Sequence, residues 1–354
     1  MKLKKTLLVI FCALFFATCA FFSLGIFIPG ASNAAEGAGK APSFIVDGHI
    51  NRNVGNEFET WFSKSFAYRG KVVSLFSAFK AEVFGTGNDQ VVVGKDGFLF
   101  FKDTVNSYTS IEPMTDEEIS DVANALLNLE KYAEEHGAKF IFAAAPNKAT
   151  VYSDKMPDRY VRNEGGTDLD RLYKELDDKG VEYIDLRPLL REASEKELVY
   201  HKRDTHWNGL GAYKAFSAIG ERMGFDVPDF GQVIYTEDFE GDLDSLLYPG
   251  ETRYDEDYVF DYTDRYIFTS SYTNEMNMSI SSRGAGKGKV LIFRDSFANA
   301  LIPMVSSTFA ESQFERANPY KIDLLQKYEA DYVIVLIAER NISTLIGADG
   351  RISD

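Results

Sequence analysis

The pattern of apolar and polar positions predicts a regular series of helices from residue 115 onward. Thr115 and Glu118 form a capping-box signature, and apolar residues then recur every three or four positions until Gly137, which is the spacing of an amphipathic helix. Further helices are predicted over residues 167–180 and about 209–223 by the same signals.

Between and after these helices lie short runs that predict strands. KFIFAAA at 139–145 is predicted to be buried and DYVIVLIA at 331–338 is almost wholly apolar, and the other two are VEYIDL at 181–186 and KVLIF at 289–293. Strands that are apolar on both faces and alternate with helices are typical of a parallel sheet with helices on both sides. The sequence therefore predicts an α/β fold with a central parallel sheet. Upstream, residues 91–100 alternate around Asp96-Gly97 and predict a hairpin.

Residues 227–287 have a different texture, because they are rich in Asp, Glu and Tyr and poor in helix signals. We interpret them as an inserted β or loop segment at the edge of the sheet. Its tyrosines either line a saccharide groove or belong to an amphipathic β segment with a solvated acidic face. The predicted organisation is a tether at 35–54 and one α/β domain at 55–354 that contains this insertion.

Residues 1–34 have the pattern of a signal peptide or a transmembrane anchor. Three lysines precede an uncharged run from Thr6 to Ile28, which as a helix spans ~35 Å, enough to cross a bilayer. Ser32-Asn33-Ala34 also offers a small-residue cleavage site, so both alternatives stay open. In either case the rest of the chain is expected outside the cytoplasm, secreted or anchored to the cell membrane. Cys12 and Cys19 both lie in this segment, so the exported part has no disulfide.

The net charge changes the picture of partners. With 54 acidic and 38 Lys or Arg residues, the chain carries a formal charge of −16. Nucleic acids and anionic membrane surfaces bind to basic faces, so neither is an expected partner. The hydrophobic content of 45% is enough for a packed core.

Ser296 stands where a nucleophile is expected in a parallel α/β protein. The strand KVLIF ends just before Arg294-Asp295-Ser296, and a helix is predicted to follow at once. Reactive groups collect at the carboxyl ends of such strands, where a helix N-terminus also favours an oxyanion. The alternative is that Asp295 or Ser296 only caps the helix.

A serine nucleophile needs a base, and Asp204 with His206 offers one. Two residues apart at a strand or turn end, they can project to the same side, with the carboxylate on one ring nitrogen and the other nitrogen free. Trp207 is expected to wall the imidazole and limit water. A metal site made of His201, Asp204 and His206 is the competing interpretation, although it lacks a fourth ligand. In the serine interpretation His201 is an ordinary strand-edge residue.

Several short motifs, in order, resemble the SGNH-hydrolase-like domain of the alginate O-acetyltransferase and DHHW protein family. These are GKDGFLF at 94–100, Pro146-Asn147-Lys148, Asp204-Thr205-His206-Trp207, Gly241-Asp242-Leu243, Asp295-Ser296-Phe297 and Glu339-Arg340. The Asp/His pair precedes the serine, the reverse of ordinary SGNH esterases, and this permuted order is a feature of the family. Two positions depart from it: Arg294 replaces a common Gly at a sharp turn, and Thr205 replaces the second His of DHHW.

The resemblance implies transfer of an acetyl group to a polysaccharide acceptor outside the cell. Ser296 would form an acyl-enzyme, His206 would act as base and then acid, and Asp204 would orient it. Asn147 is a candidate second donor to the oxyanion, beside the backbone N–H of Ser296. A membrane-bound O-acyltransferase is the expected acetyl donor, and no metal or cofactor is expected.

Two alternatives to the transferase stay open at this point. An acetylesterase would use the same three residues with water as acceptor. A non-catalytic glycan-binding or scaffold protein of a polysaccharide acetylation complex is the other alternative, favoured if Arg294 distorts the turn before Ser296.

Overall fold

The computed structural model describes residues 16–17, 41–46, 48–65, 69–162, 165–316 and 320–347. The predicted signal or anchor at 1–34 lies outside the described residues apart from Phe16 and Ala17. So do residues 35–40 and 47 of the predicted tether at 35–54. Within the described ranges, no helix has both the length and the apolar character to cross a bilayer. The chain divides into two units, Met1–Phe84 with Tyr248–Glu251, and Gly85–Leu247 with Thr252–Asp354.

The first unit contains a short hairpin and two helices. Their bounds are β1 (Ile45–Val46), β2 (His49–Ile50), α1 (Val54–Ser65) and α2 (Arg69–Phe84). Several apolar side chains of α2 are exposed, namely Val73, Leu75, Phe76, Phe79, Val83 and Phe84.

The second unit is built on a seven-stranded sheet, in the spatial order β6-β5-β13-β11-β12-β10-β9. The strands of this unit are β3 (Val91–Val93), β4 (Leu99–Phe101), β5 (Lys139–Ala145), β6 (Tyr183–Asp185), β7 (Ile234–Glu240), β8 (Tyr254–Val259), β9 (Tyr266–Phe268), β10 (Ser279–Gly284), β11 (Lys289–Arg294), β12 (Glu311–Glu315) and β13 (Tyr332–Ala338). The strands from β6 to β12 in this order are mutually parallel, whereas β10 and β9 are antiparallel additions. The predicted α/β fold with a central, mostly parallel sheet is confirmed.

Helices cover both faces of the sheet. They are α3 (Asp103–Thr109), α4 (Asp116–Glu135), α5 (Lys148–Val151), α6 (Asp168–Lys179), α7 (Arg187–Ser194), α8 (Gly209–Met223), α9 (Asp242–Leu247), α10 (Ile302–Thr308) and α11 (Leu324–Tyr328), with 3-10 turns at Ser153–Lys155, Ser296–Leu301 and Glu339–Leu345. Because side chains alternate across a strand, β13 supplies Ile334 and Leu336 to one core, and Val333 and Val335 to the other.

The predicted helix caps are confirmed in detail. Thr115 and Glu118 make both hydrogen bonds of a capping box at the start of α4, and Thr167 with Asp170 does the same for α6. The Asn208 side chain accepts from the Gly211 N–H at the start of α8. These caps fix the first residue of each helix. They therefore also fix where the loop before that helix ends.

The predicted hairpin around Asp96-Gly97 is also confirmed, as the antiparallel pair β3 and β4. Asp96 and Gly97 have φ of 54° and 81°, the left-handed conformation that a tight hairpin turn requires at both positions.

The segment 227–287 is more ordered than predicted. It contains the antiparallel pair β7 and β8, the short helix α9, and β9 and β10, which extend the main sheet. The strand β12 was not predicted at all. Its sequence ESQFE is polar, but Ser312, Gln313 and Glu315 are buried and Gln313 donates to the Glu315 carboxylate at 2.6 Å.

Candidate active site

Ser296 begins the 3-10 turn that follows β11, and Asp295 fixes this turn. The Asp295 carboxylate accepts hydrogen bonds from the backbone N–H of Phe297 at 2.8 Å and of Ala338 at 2.7 Å, and from the Asn341 amide at 2.6 Å. The turn that carries Ser296 is therefore attached to the end of the neighbouring strand β13. Asp295 is the cap and Ser296 stays free for another role.

The segment from Tyr200 to Trp207 folds back on itself. Tyr200 and Trp207 form an antiparallel bridge, and the His201 N–H donates to the His206 carbonyl at 3.3 Å. Residues opposite each other in such a pair project to the same face. The side chains of His201 and His206 therefore lie on one side of the turn.

The Lys148 side chain stabilises this turn through three hydrogen bonds. Its ammonium donates to the carbonyls of His201, Lys202 and Asp204 at 3.0, 2.9 and 2.6 Å. Burial lowers the pKa of Lys148 to about 7, while the nearby Asp204 carboxylate opposes that shift. Only the ammonium form has three N–H donors, so it is the form that satisfies all three carbonyls.

His206 bridges Asp204 and Ser296. Its Nδ1 lies 2.7 Å from Asp204 Oδ1 and its Nε2 lies 2.9 Å from Ser296 Oγ. An ionised carboxylate only accepts hydrogen bonds, so Nδ1 carries the proton and Nε2 is the acceptor for the serine hydroxyl. The three predicted residues are thus brought together from two segments in an arrangement that permits proton transfer from the serine.

The Asp204 carboxylate is kept ionised. Burial alone would raise its pKa, but the hydrogen bonds from His206, and one of 2.8 Å from the Asp242 N–H, outweigh burial and hold the pKa below its ordinary value. The His206 backbone N–H also donates to Asp204 Oδ1 at 2.8 Å.

Asp242 is a second carboxylate beside this pair, and it had no predicted role. It accepts from the Thr205 N–H at 2.8 Å and from the Thr205 hydroxyl at 2.7 Å. Burial and the charge of Asp204 raise its pKa. The preceding Gly241 lets the two segments approach, since a Cβ there would lie 2.3 Å from the Arg203 carbonyl oxygen. The Gly-Asp-Leu motif was the signal that marked this position.

Arg294 is buried, and both terminal nitrogens of its guanidinium donate hydrogen bonds. It donates to the Asn299 side-chain oxygen at 2.6 Å and to the carbonyls of Glu275 and Asn277 at 2.8 and 3.0 Å. Burial lowers its pKa to about 10, so it is charged at neutral pH. It joins the turn that carries Ser296 to the segment before β10, and Ser296 keeps its hydrogen bond to His206.

Trp207 and Phe297 pack around the imidazole. Trp207 is buried and donates from Nε1 to the Phe297 carbonyl at 2.8 Å. The ring next to His206 is that of Phe297, with centroids 4.8 Å apart, and Trp207 packs edge-on against Phe297 at 5.5 Å. The predicted contact between Trp207 and the imidazole is therefore made by Phe297, and Trp207 packs behind Phe297.

Asn147 follows β5 and is buried, and neither atom of its side-chain amide has a hydrogen-bond partner among the described residues. Its backbone N–H donates to the Glu339 carboxylate at 2.8 Å. The strands β5 and β11 are separated only by β13, so their ends lie about 9–10 Å apart. Asn147 therefore lies just beyond the carboxyl end of β5, at the same end of the parallel strands as Ser296.

Comparison with known proteins places the chain in a family. Residues 91–267, half of the chain, match the family model described as SGNH hydrolase-like domain, acetyltransferase AlgX. The chain belongs to this AlgX family. The matched segment includes Asp204 and His206 and ends before Ser296.

Similar proteins include the probable alginate O-acetylases AlgJ of Pseudomonas aeruginosa and Azotobacter vinelandii. The first is 26% identical over 182 residues, which cover 50% of this chain and 43% of that protein. The second is 23% identical over 210 residues, which cover 56% of this chain and 52% of that protein. The chain therefore spans about half the length of the curated relatives it matches.

Two solved structures share the fold of this AlgX-family chain at low sequence identity. PatB1 of Bacillus cereus has a TM-score of 0.55 and 18% identity, covering 73% of this chain and 99% of that one. A DHHW family protein from Eubacterium siraeum has a TM-score of 0.52 and 18% identity, covering 75% and 99%.

A cleft of about 450 Å³ opens beside Ser296 in this AlgX-family domain. It is lined by the two facing histidines, by aromatic and aliphatic side chains of the segments around β8 and α10, and by Asp257, Glu275 and Asn299. Its volume is in the range of small-molecule sites and exceeds what an acetyl group needs. A separate hollow of about 670 Å³ lies at the amino ends of the strands, around Lys139 and Met223.

The metal interpretation requires different ligands from those predicted. The close group of metal-ligand types in the described residues is Asp204, His206 and Asp242, whose ligand atoms lie within 4.8 Å of one another, and His201 is outside it. N–H or O–H donors point at the oxygens of both carboxylates, as described above. These donors fit carboxylates that accept hydrogen bonds better than carboxylates that hold a cation.

Proposed function

We propose that this protein is an extracytoplasmic serine O-acetyltransferase that acetylates a cell-surface or secreted polysaccharide through an acyl-enzyme on Ser296. The observation that carries the proposal is the continuous hydrogen-bonded series Asp204, His206, Ser296, with distances of 2.7 and 2.9 Å. Membership of an acetyltransferase family supports the same chemistry.

In the first half-reaction, His206 Nε2 takes the proton of Ser296 as Oγ attacks the carbonyl carbon of the acetyl donor. The same imidazole then gives this proton to the leaving group. In the second half-reaction, His206 takes the proton of a sugar hydroxyl as its oxygen attacks the acetyl carbonyl. The bond to Ser296 Oγ then breaks, and His206 returns the proton to that oxygen. Asp204 keeps the required tautomer and stabilises the imidazolium in both steps.

The negative charge on the carbonyl oxygen needs donors, and we assign one to the Ser296 backbone N–H. Asn147 remains our proposed second donor because its amide is buried without a partner. Asn299 is an additional candidate. Residues three apart in a 3-10 turn share a face, and Arg294 binds the Asn299 side-chain oxygen, so its NH₂ group is turned away from Arg294. Activities of Asn147→Ala and Asn299→Ala identify the donor, because losing one such group lowers kcat about 10²–10³-fold.

The partners and location are part of the same proposal. The acceptor is a polysaccharide, and a membrane-bound O-acyltransferase supplies the acetyl group, as the resemblance of the sequence motifs implies. The names of the AlgJ relatives, probable alginate O-acetylases, support a role in polysaccharide acetylation. Residues 1–34 are proposed to export the chain as a signal peptide or to anchor it.

An acetylesterase with the same three residues is the second candidate, since the cleft admits water as well as a sugar. The non-catalytic alternative depended on a distorted turn at Arg294. The hydrogen bond between Ser296 and His206 argues for a competent turn instead.

The test is hydrolysis of p-nitrophenyl acetate by the full chain purified in detergent, with trapping of an acetyl group on the Ser296 peptide by mass spectrometry. Ser296→Ala is expected to lose activity at least ~10³-fold and to carry no acetyl group. Ser153→Ala is the matched control, since Ser153 also begins a 3-10 turn but lies outside the site. A Ser296→Ala protein as active as the parent would sink the proposal. Acetylated oligosaccharide formed in the presence of acceptor separates transferase from esterase.

A further inference from the structure

The cleft beside Ser296 has a polar corner that the proposed chemistry does not use. His201 is buried at 3% exposure and lines the same cleft as His206. The two residues are opposite each other in the folded-back turn, where paired side chains lie roughly 5 Å apart at Cβ. A group bound at His201 is therefore next to the base.

The hydrogen bonds of His201 define what its free nitrogen offers. Nδ1 lies 3.0 Å from the Glu256 carbonyl oxygen, which only accepts, so Nδ1 carries the proton. In the neutral ring Nε2 is then an acceptor. The nearest carboxylate oxygen, Asp257 Oδ1, is 3.7 Å away, too far for a direct hydrogen bond. Two acceptors thus face the same small space, which suits a donor group placed between them.

The imidazole is held rigidly for this purpose. Phe239 on β7 stacks on His201 with ring centroids 3.7 Å apart and planes at 6°. The Lys148 ammonium donates to the His201 carbonyl, which fixes the backbone of this residue. The corner is built from two segments, the turn and the pair β7 and β8, and does not need a ligand to form.

The charge of the cleft restricts the ligand further. Asp257 and Glu275 are among its lining residues, and no Lys or Arg is. The Glu275 carboxylate also accepts from the Tyr272 hydroxyl at 2.6 Å, so that aromatic ring and this acid are tied together. Sugar hydroxyls donate to carboxylates and imidazoles and their ring faces pack on aromatic side chains, whereas a uronate would meet like charge.

We propose that His201 Nε2 and Asp257 form an acceptor subsite for a sugar unit without a carboxylate, binding a donor hydrogen of that unit so that a neighbouring hydroxyl reaches His206. This inference rests on the proposed transferase function and names its substrate class. It predicts preference for neutral or amino-bearing glycans over polyuronates such as alginate, despite the similarity to AlgJ proteins.

Asp257→Asn is the main test, because it keeps the shape and removes the charge. Binding is measured by titration of cellopentaose, the chitosan pentamer and an oligomannuronate into the Ser296→Ala full chain, with and without Asp257→Asn. Cellopentaose or the chitosan pentamer is expected to bind, the oligomannuronate much more weakly, and Asp257→Asn is expected to weaken binding about 10–100-fold. Asp238→Asn, an exposed carboxylate on β7, makes the same charge change outside the cleft and should leave binding unchanged.

His201→Asn gives an independent arm, since the Asn amide can still donate to the Glu256 carbonyl while the Nε2 acceptor is lost. In the Ser296→Ala protein it should weaken sugar binding, as Asp257→Asn does. Three results would each overturn the inference: unchanged binding in both variants, tighter binding of the oligomannuronate than of the other two sugars, or no binding of any of them. Failure of the proposed transferase function would be a separate result. It would appear as ester hydrolysis by Ser296→Ala at the parental rate, which the sugar titrations do not measure.

Discussion

His201 and His206 face each other across one turn, and their ring nitrogens have different partners. In His206 an ionised carboxylate accepts from Nδ1 and a serine hydroxyl meets Nε2. In His201 a neutral backbone carbonyl accepts from Nδ1, and Nε2 faces Asp257 without a hydrogen bond. Both rings have the same tautomer and both are held by packing.

The difference lies in what happens when a proton arrives at Nε2. A carboxylate on Nδ1 stabilises the resulting imidazolium, so His206 suits transfer of protons between oxygen atoms. The Glu256 carbonyl on Nδ1 orients the His201 ring and leaves Nε2 of the neutral ring as an acceptor, which suits the donor recognition that we propose for it. The residue type is identical, and the partner on the far nitrogen assigns the role.

The largest expected effect comes from removing that difference. In Asp204→Asn, His206 would have a neutral partner like that of His201, and kcat for p-nitrophenyl acetate is expected to fall about 10³–10⁴-fold. Asp238→Asn makes the same charge change on the exposed surface of β7, outside the cleft, and should leave this kcat unchanged. The two variants are compared by initial rates at saturating ester. Equal rates for Asp204→Asn and the parent would contradict the assignment of His206 as base.

A second, smaller effect should touch both histidines at once. Lys148→Met removes the donor shared by the His201, Lys202 and Asp204 carbonyls, leaving buried acceptors unpaired. We expect a loss of unfolding free energy of about 1–3 kcal/mol, and a fall in kcat of up to about 10²-fold because the turn shifts.

Chemical denaturation and ester hydrolysis measure the two effects of Lys148→Met separately. Lys139→Met is the control, since Lys139 donates to the Met223 carbonyl only and lies at the amino end of β5, the opposite end of the sheet from Ser296. Its kcat should match the parent. A Lys148→Met protein with parental kcat would show that the turn does not depend on the ammonium group.

The smallest effect concerns acid stability. The folded-state pKa of Asp204 lies below its ordinary value of about 3.9, so the carboxylate adds stability above that pH, and this contribution is lost as the pH falls toward the folded-state pKa. The unfolding free energy of Asp204→Asn should therefore depend less on pH between about 5 and 2 than that of the parent. Ser296→Ala keeps the Asp204–His206 contact and should follow the parent. Urea titrations followed by circular dichroism measure the unfolding free energy of each variant. Parallel pH curves for Asp204→Asn and the parent would contradict a stabilising contact between Asp204 and His206.

Much of the fold was readable because its signals are local. The capping boxes at Thr115 and Thr167 and the apolar runs of β5, β11 and β13 act within a few residues, and each element appears where predicted. The strand β12 was missed because its buried polar side chains, such as Gln313, are paired by tertiary contacts that no local pattern announces. The strand β10 was missed for a similar reason, since its Ser282 hydroxyl is buried against Ser306.

The site divides in the same way. The contact between His206 and Ser296 was predicted from residue types and strand ends, although the residues are ninety positions apart. The contacts of Arg294 were not predictable, because its partners lie in the insertion and in the turn that follows it. Nor was the position of His201, whose role depends on Phe239 and Asp257 folding back over it.

The short segment from Phe239 to Asp242 has a consequence for evolution and for loop grafting. Phe239 stacks on His201, in the corner that we propose binds a sugar, and three positions later Asp242 binds Thr205, beside Asp204 and His206. A graft that exchanged β7 and β8 to alter glycan preference would also replace Asp242. It would therefore remove the contacts to Thr205 together with the ring that packs on His201. New specificities in this lineage should therefore arise by point changes on β8, around Asp257, more readily than by wholesale replacement of the insertion.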